Sequence, residues 1–518
     1  MLFNSYEFIF LFIPVTLLGF FWILRSNHYN AAILWLVVTS LFFYGWWQPV
    51  YLFLIGFSIV INYFFGMNIG AEQNKKIRKT KLVAGCAINL GLLGYFKYAG
   101  FIVANLNSMS GSDISIGNIV LPLAISFFTF QQIAYLVDAY YNETKEYNFL
   151  QYCLFVTFFP QLIAGPIVHH KEMMPQFHDK RLIQFSHDNL SIGLTIFVIG
   201  LFKKVVLADT AALYATPVFK AVDGGEAVSF ILAWQGSLAY TFQLYFDFSG
   251  YSDMAIGLAR MFGIRLPVNF FSPYKATNII DFWRRWHMTL SRFLRDYVYI
   301  PLGGSRKGKS RRYLNLMMTM LLGGLWHGAA WTFVFWGFLH GFYLIVNHAW
   351  RALKFRIGAN RRNPGVVTIW SSRLITFLCV VVGWVFFRAE TFDGAIIMLQ
   401  GMIGYNGFVL PQGLIASNSA LFPVLTEWGI RFEEMGKISR AMNTLVLCLL
   451  VIWGAPNTLQ IMKYYRPALF VYEDNKEIGR RRLWNWRPTK LWALIILSLS
   501  IIAIRKMDSV SEFLYYNF

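Results

Sequence analysis

"NLMMTMLLGGLWHGAAWTFVFWGFLHG" occupies residues 315–341, and its reading decides the fold. Between residues 315 and 346 there is no Asp, Glu, Lys or Arg. A continuous helix over those 32 residues would run ~48 Å at ~1.5 Å each, well beyond the ~30 Å hydrocarbon core of a bilayer. The stretch is therefore two membrane spans, or one broken near Gly323 and Gly324 or near Gly328. His327, a titratable group in a charge-free run, sits beside that break.

The rest of the chain has the same texture. Of 518 residues, 57% are hydrophobic, 18% aromatic and only 14% charged, and the mean hydropathy is +0.48, too apolar for a water-soluble surface. Apolar windows long enough to cross a bilayer recur at residues 8–24, 31–47, 50–67, 82–104, 119–137, 192–207, 228–245 and 315–346. Further ones lie at 374–387, 445–453 with flanks, and 491–504. The expected architecture is an all-α, polytopic integral membrane protein with roughly ten to thirteen membrane helices. No linker or repeat divides the chain, so residues 1–518 are expected to form one membrane-embedded domain.

Residues 1–7 carry no Lys or Arg ahead of the first apolar run, which is too long for the core of an export signal, so it is expected to remain as the first span. Cys86, Cys153, Cys379 and Cys448 lie in apolar stretches without CxxC spacing and read as small packing residues. The net charge of +20 is concentrated in short segments at residues 74–81, 303–312, 354–362 and 479–490. The positive-inside rule places these loops in the cytoplasm and, counting spans back from residue 74, the N-terminus outside. No soluble basic module exists to bind nucleic acid. Anionic lipid headgroups are the expected partners of this charge.

Residues 242–313 mix Trp, Tyr, Arg, Asp and Ser too densely for a lipid-facing helix and too hydrophobically for a solvated loop. Such a stretch is tolerated at membrane depth only where protein or a cavity satisfies its polar groups, so it reads as the wall of an internal chamber. Within it, "DFWRRWHMTLSRFLRDYVYI" at residues 281–300 reads as one helix. Asp281 would be its N-cap, and His287 would face inward beside Trp283, away from Arg285 and Arg292.

A buried histidine is ordinarily a core imidazole bonded to a backbone carbonyl. At His327 the helix break and the membrane setting favour function instead, because an intramembrane ionisable group is costly to keep and an apolar site favours the neutral, proton-accepting form. His287 lies forty positions earlier, enough for one helix to turn back and face the other, which leaves two readings open for it: a His–His pair across a cavity, or the ordinary packing of a Trp-flanked histidine. The remaining histidines are less promising. His169, His170 and His178 have charged neighbours and no metal-ligand spacing, which predicts a solvated loop, while His340 is expected to be packing. No GxSxG, HExxH, Walker A or contextual GxGxxG motif is present, and no metal site is indicated.

Together, "FWRRWHMTLSRFLRDYVYIPLGG" at 282–304 and the stretch at 315–341 resemble the core of the membrane-bound O-acyltransferase (MBOAT) family. "YFDFSGYSDMAIGLA" at 245–259, "FFPQLIAGPIV" at 158–168 and "ISFFTFQQIAYLVDAYY" at 125–141 narrow the resemblance to the bacterial branch of the alginate O-acetylation membrane protein. It extends from residue 4 to about Glu390 and is looser over 405–518. The resemblance implies a ring of membrane helices around a thin centre, with a tunnel meeting at two residues that correspond to His327 and His287. It implies no bound cofactor, with acetyl-CoA or another acyl thioester arriving from the cytoplasm as donor substrate. It also implies a polysaccharide acceptor such as alginate or cellulose, a periplasmic SGNH-type acetyltransferase partner, and residence in the bacterial inner membrane.

In that setting neutral His327 would take the proton of an attacking hydroxyl, and His287 would orient the acceptor or steady the oxyanion. Trp283, Trp326 and Trp331 are the candidate substrate-binding residues, able to keep water from the thioester. Two other readings compete: a lipid O-acyltransferase of the same family, and a transporter with a histidine proton relay. A transporter should show pseudo-symmetric halves, whereas the Trp/His/Arg-rich motifs occur once, in the centre.

Overall fold

The computed structural model describes the chain except residues 118, 145–147, 182–183, 359–364, 412–425, 427–430, 434–437, 471–483, 508–512 and 515–518. The described residues are overwhelmingly helical, with a short two-stranded parallel sheet, Val409–Pro411 beside Arg431–Glu433, and an isolated parallel bridge between Pro267 and Leu469. Among them, five helices are long and apolar enough to cross a membrane: Phe8–Arg25, Tyr51–Ala71, Lys75–Ser110, His187–Asp223 and Val366–Arg388. The protein is a multi-pass membrane protein. Large apolar side chains such as Phe53, Val367 and Leu491 point outward from these and other helices, as a lipid-facing surface requires.

The helix Phe230–Met261 carries Gln235, Gln243, Asp247, Asp253 and Arg260, yet it is deeply buried. Every residue from 241 to 264 is buried. Its carboxylates are paired from the neighbouring helix: Lys204 lies 2.8 Å from both Asp247 and Asp209, and Lys203 lies 2.5 Å from Asp253. Buried charges persist only when paired in this way. Residues 242–261 of the stretch expected to wall a chamber thus form the C-terminal part of this helix.

Two glycine pairs let that helix meet its neighbour, His187–Phe202, with backbones almost touching. A Cβ placed on Gly193 would lie 2.5 Å from the Gly257 carbonyl oxygen, and one on Gly200 would lie 2.6 Å from that of Gly250. The seven-residue spacing on both helices keeps the two pairs on one face, a small-residue interface suited to packing without a hydrophobic driving force.

The charge-free stretch folds as a hairpin. One helix runs Lys309–His327, a bend follows in which Gly328 and Ala330 are extended, and a second helix runs Trp331–Arg356. Of the break positions expected, Gly328 is the one used (φ −162°, ψ 152°). Gly324 instead stays helical and lets the hairpin close, since a Cβ there would collide with the Phe333 carbonyl.

Residues 281–300 do not form the single helix expected. The segment breaks into Ile279–Trp283, Met288–Leu294 and a π-helical turn Arg295–Tyr299. Asn278, not Asp281, caps its start, accepting from the Asp281 N–H at 3.0 Å, while Asp281 pairs with Arg285 at 2.9 Å. The loosely matching C-terminal part braces the centre: Thr458 donates to Asp253 at 2.6 Å, Trp453 donates to the Tyr274 carbonyl at 3.2 Å, and Phe513 packs edge-on against Tyr251.

Candidate active site

Because the helix Lys309–His327 ends at His327 and the chain leaves it extended at Gly328, its last carbonyls have no helical N–H to accept from. Tyr98 donates to the Leu325 carbonyl at 2.8 Å, and the Lys97 ammonium donates to those of Trp326 at 2.6 Å and His327 at 3.2 Å. The third Lys97 bond goes to Ser126 Oγ at 3.3 Å. A cation is the favoured partner of a helix C-terminus, and here the helix end in turn compensates an ammonium held at membrane depth. Lys97 and Tyr98 reach these carbonyls from a π-helical turn, Gly94–Tyr98, set between Lys75–Leu93 and Ala99–Ser110. Sequence reading missed Lys97, a lone cation in the apolar window at 82–104.

His287 arrives from the other side. It holds a left-handed backbone (φ 41°, ψ 54°) at the start of Met288–Leu294, a conformation uncommon for a residue with a Cβ and a frequent mark of a functional site. Asn269 fixes it there. The Asn269 side-chain oxygen lies 2.9 Å from His287 Nδ1 and accepts from Thr289 Oγ1 at 3.0 Å, and the Asn269 carbonyl accepts from the Met288 N–H at 2.9 Å. Phe248 lies edge-on to the imidazole with ring centres 4.8 Å apart.

The two histidines meet at one indole. Trp326 lies with its ring centre 4.9 Å from His327 and 6.1 Å from His287, and it stacks on Phe130 at 5.1 Å. His327 is 3% exposed and His287 fully buried. On its far side, His327 faces Trp336 and Phe387, both with ring centres 5.1 Å away. Trp283 joins the cluster through Trp336, at 5.8 Å. The structure thus brings together His327, His287, Trp326 and Trp283. Trp331 stands apart: it is 60% exposed, packs on Phe101, and donates its indole N–H to Asn105 at 2.9 Å. The cavities of about 800 Å³ beside His28 and His178 and about 360 Å³ beside Tyr135 and His170 are lined by neither histidine of the pair.

His169 and His170 contradict the solvated-loop expectation. Both are buried, and His169 Nδ1 lies 3.0 Å from the hydroxyl of Tyr297, which donates to Asp138 at 2.7 Å. Of the neighbouring charges that suggested solvent, Glu172 is taken up internally by Arg292 at 2.6 Å, while Lys171 pairs with Glu143 at 2.5 Å on the exposed side. His178 is exposed as expected, but it ends a helix, His170–His178, where a loop was expected. His340 is fully buried among aromatic rings.

Residues 142–382 match the model of the MBOAT, membrane-bound O-acyltransferase family. The chain is 43% identical to a peptidoglycan O-acetyltransferase of Helicobacter pylori, over 100% of this chain and 98% of that protein. It is 37% identical to a probable alginate O-acetylase of Pseudomonas aeruginosa over the full length of both. A teichoic acid D-alanyltransferase of Streptococcus thermophilus is 29% identical over 51% of this chain and 68% of its own.

Proposed function

We propose, for a chain that belongs to the membrane-bound O-acyltransferase family, a transfer of acetyl groups from a cytoplasmic thioester across the membrane toward the hydroxyls of a cell-surface glycan. The chain is an O-acyltransferase; the transporter reading falls away. In this proposal acetyl-CoA or an acylated carrier is the donor, and a periplasmic SGNH-type acetyltransferase completes the transfer. The glycan is a secreted polysaccharide such as alginate, or the peptidoglycan on which the Helicobacter relative acts. The protein sits in the bacterial inner membrane with its N-terminus outside, roughly ten to thirteen helices enclosing a tunnel that meets at His327 and His287.

The chemistry follows from the residues. His327 accepts the proton of the attacking hydroxyl as its oxygen bonds to the thioester carbonyl carbon; when the tetrahedral intermediate collapses the C–S bond breaks, and His327 returns the proton to the departing thiolate. His287, its ring oriented by Asn269, holds the acceptor hydroxyl. The surrounding indoles keep out water, which would otherwise hydrolyse the thioester.

The observation that carries this reading is the shared contact of His327 and His287 with the buried Trp326 ring, at the end of a helix that stops within the hydrophobic interior. His327→Ala should insert in the membrane normally and leave the polymer unacetylated. The measurement is acetate released by alkali from peptidoglycan and from secreted polysaccharide, collected separately. Wild-type acetate in both fractions from a well-inserted variant overturns the assignment.

A further inference from the structure

Three aromatic side chains beside His327 hold polar atoms that the proposed reaction leaves unused. His340 is fully buried, yet neither its Nδ1 nor its Nε2 has a hydrogen-bond partner among the described residues. The same holds for the indole nitrogens of Trp283 and Trp336. The three rings touch one another, His340 lying 4.8 Å from Trp336 and 5.1 Å from Trp283 between centres, with the indoles 5.8 Å apart. They come from two elements, Ile279–Trp283 and Trp331–Arg356, and a third element, Val366–Arg388, closes over them. There, a Cβ on Gly383 would lie 2.9 Å from His340 Nε2.

Simple packing does not account for this group. A polar atom in a dry interior without a partner forfeits its bond to water and gains nothing in return, so such atoms are rare singly and rarer in clusters. An apolar side chain of similar shape would fill each position at lower cost. The composition of the cluster names its guest. Each indole can only donate, and a neutral imidazole contributes one donor and one acceptor, so the set is three donors to one acceptor. Such a set suits an oxygen bearing lone pairs and developing negative charge. His327 is in ring contact with the same Trp336, which places this donor-rich cluster beside the base.

We propose that His340, Trp283 and Trp336 form the subsite for the acyl carbonyl oxygen, donating to the oxyanion that appears when the hydroxyl attacks the thioester. This rests on His327 being the base of an acyl transfer. In the attack the carbonyl π pair moves onto oxygen while the hydroxyl proton goes to His327; in the collapse that pair returns, the C–S bond breaks and the thiol leaves with the proton. The subsite bonds to oxygen through both steps and exchanges no proton. Donors arranged beforehand for an oxyanion act on the rate of the chemical step more than on binding of the neutral ester.

The test uses full-length protein in detergent with acetyl-CoA as the probe thioester, following thiol release on addition of a glycan acceptor. Trp336→Phe removes an N–H and keeps a ring, His340→Leu removes both polar atoms, and His340→Asn restores a donor. The expected result is a kcat lower by roughly 10²–10³ for His340→Leu and a clear loss for Trp336→Phe, with KM for the thioester nearly unchanged, wild-type thermal stability, and partial recovery in His340→Asn. Full kcat in both Trp336→Phe and His340→Leu overturns the subsite while leaving the functional reading in place. So does a loss that tracks unfolding in all three variants. Wild-type protein that never consumes the thioester overturns the functional reading, and the subsite with it.

Discussion

Lys97 Nζ donates to the main-chain carbonyl of His327 at 3.2 Å, a contact between residues 230 positions apart. It joins a helix near the N-terminus to the end of the helix that presents the base. Lys97→Met should remove this anchor and loosen the Trp326 and His327 backbone. A hydrogen bond to a charged group is worth ~1.5–3 kcal/mol, so polymer acetate should fall roughly 10–100-fold. Lys97→Arg, which keeps the cation, should retain more. Acetate per membrane-inserted protein is the readout, and an undiminished Met variant would remove Lys97 from the site.

At His287 the backbone and the side chain make separate demands. Asn tolerates the left-handed conformation better than most residues and its amide can hydrogen-bond, so His287→Asn should keep measurable acetylation. His287→Gly accepts the same backbone without strain but offers no polar group, and should be inactive. Equal activity in the Asn and Gly variants would show that the backbone alone matters. Equal inactivity in stable protein would point to a titrating role instead.

Ser305 is exposed in the basic segment that also holds Arg306, Lys307, Lys309, Arg311 and Arg312. Ser305→Cys in intact cells should react with a membrane-permeant thiol reagent and resist an impermeant one. Labelling by the impermeant reagent inverts the topology and puts the donor entrance on the wrong side.

Gly200→Val should prevent stable accumulation, because the new side chain meets the backbone of the facing helix, where a Cβ alone lies 2.6 Å from the Gly250 oxygen. Overpacking of this kind costs ~1–3 kcal/mol or more. Gly56→Val, at a glycine with open space around it, is the control and should accumulate normally. Equal levels of the two proteins in the membrane fraction would refute the close contact.

The helix break at Gly328 was legible because a charge-free run of known length must fit a bilayer of known thickness. The buried centre was legible from composition, since Asp247 and Asp253 exclude a lipid-facing position. The turn at His287 was not: its left-handed backbone follows no glycine and is held by Asn269, 18 residues earlier. Lys97 was hidden because a hydropathy window averages a single cation into its apolar neighbours. For His169 and His170, the error lay in treating Glu172 as solvated when its partner, Arg292, lies 120 positions away.

The π-helical turns place a constraint on chain length itself. Each of Gly94–Tyr98, Lys203–Ala208 and Arg295–Tyr299 carries polar side chains that reach inward: Lys97 and Tyr98 to the histidine helix, Lys204 to Asp247, and Tyr297 to Asp138. Such a turn holds one residue more than a regular helix needs. Deleting a single residue there would restore ordinary α-helix with its two arms close to their present orientation, because the turn takes up its extra residue within one revolution, but it would remove the widened turn that presents these polar side chains. An alanine scan would never sample that change. At these three places a single-residue deletion should cost more function than a substitution, even where the removed side chain is an unremarkable leucine or valine.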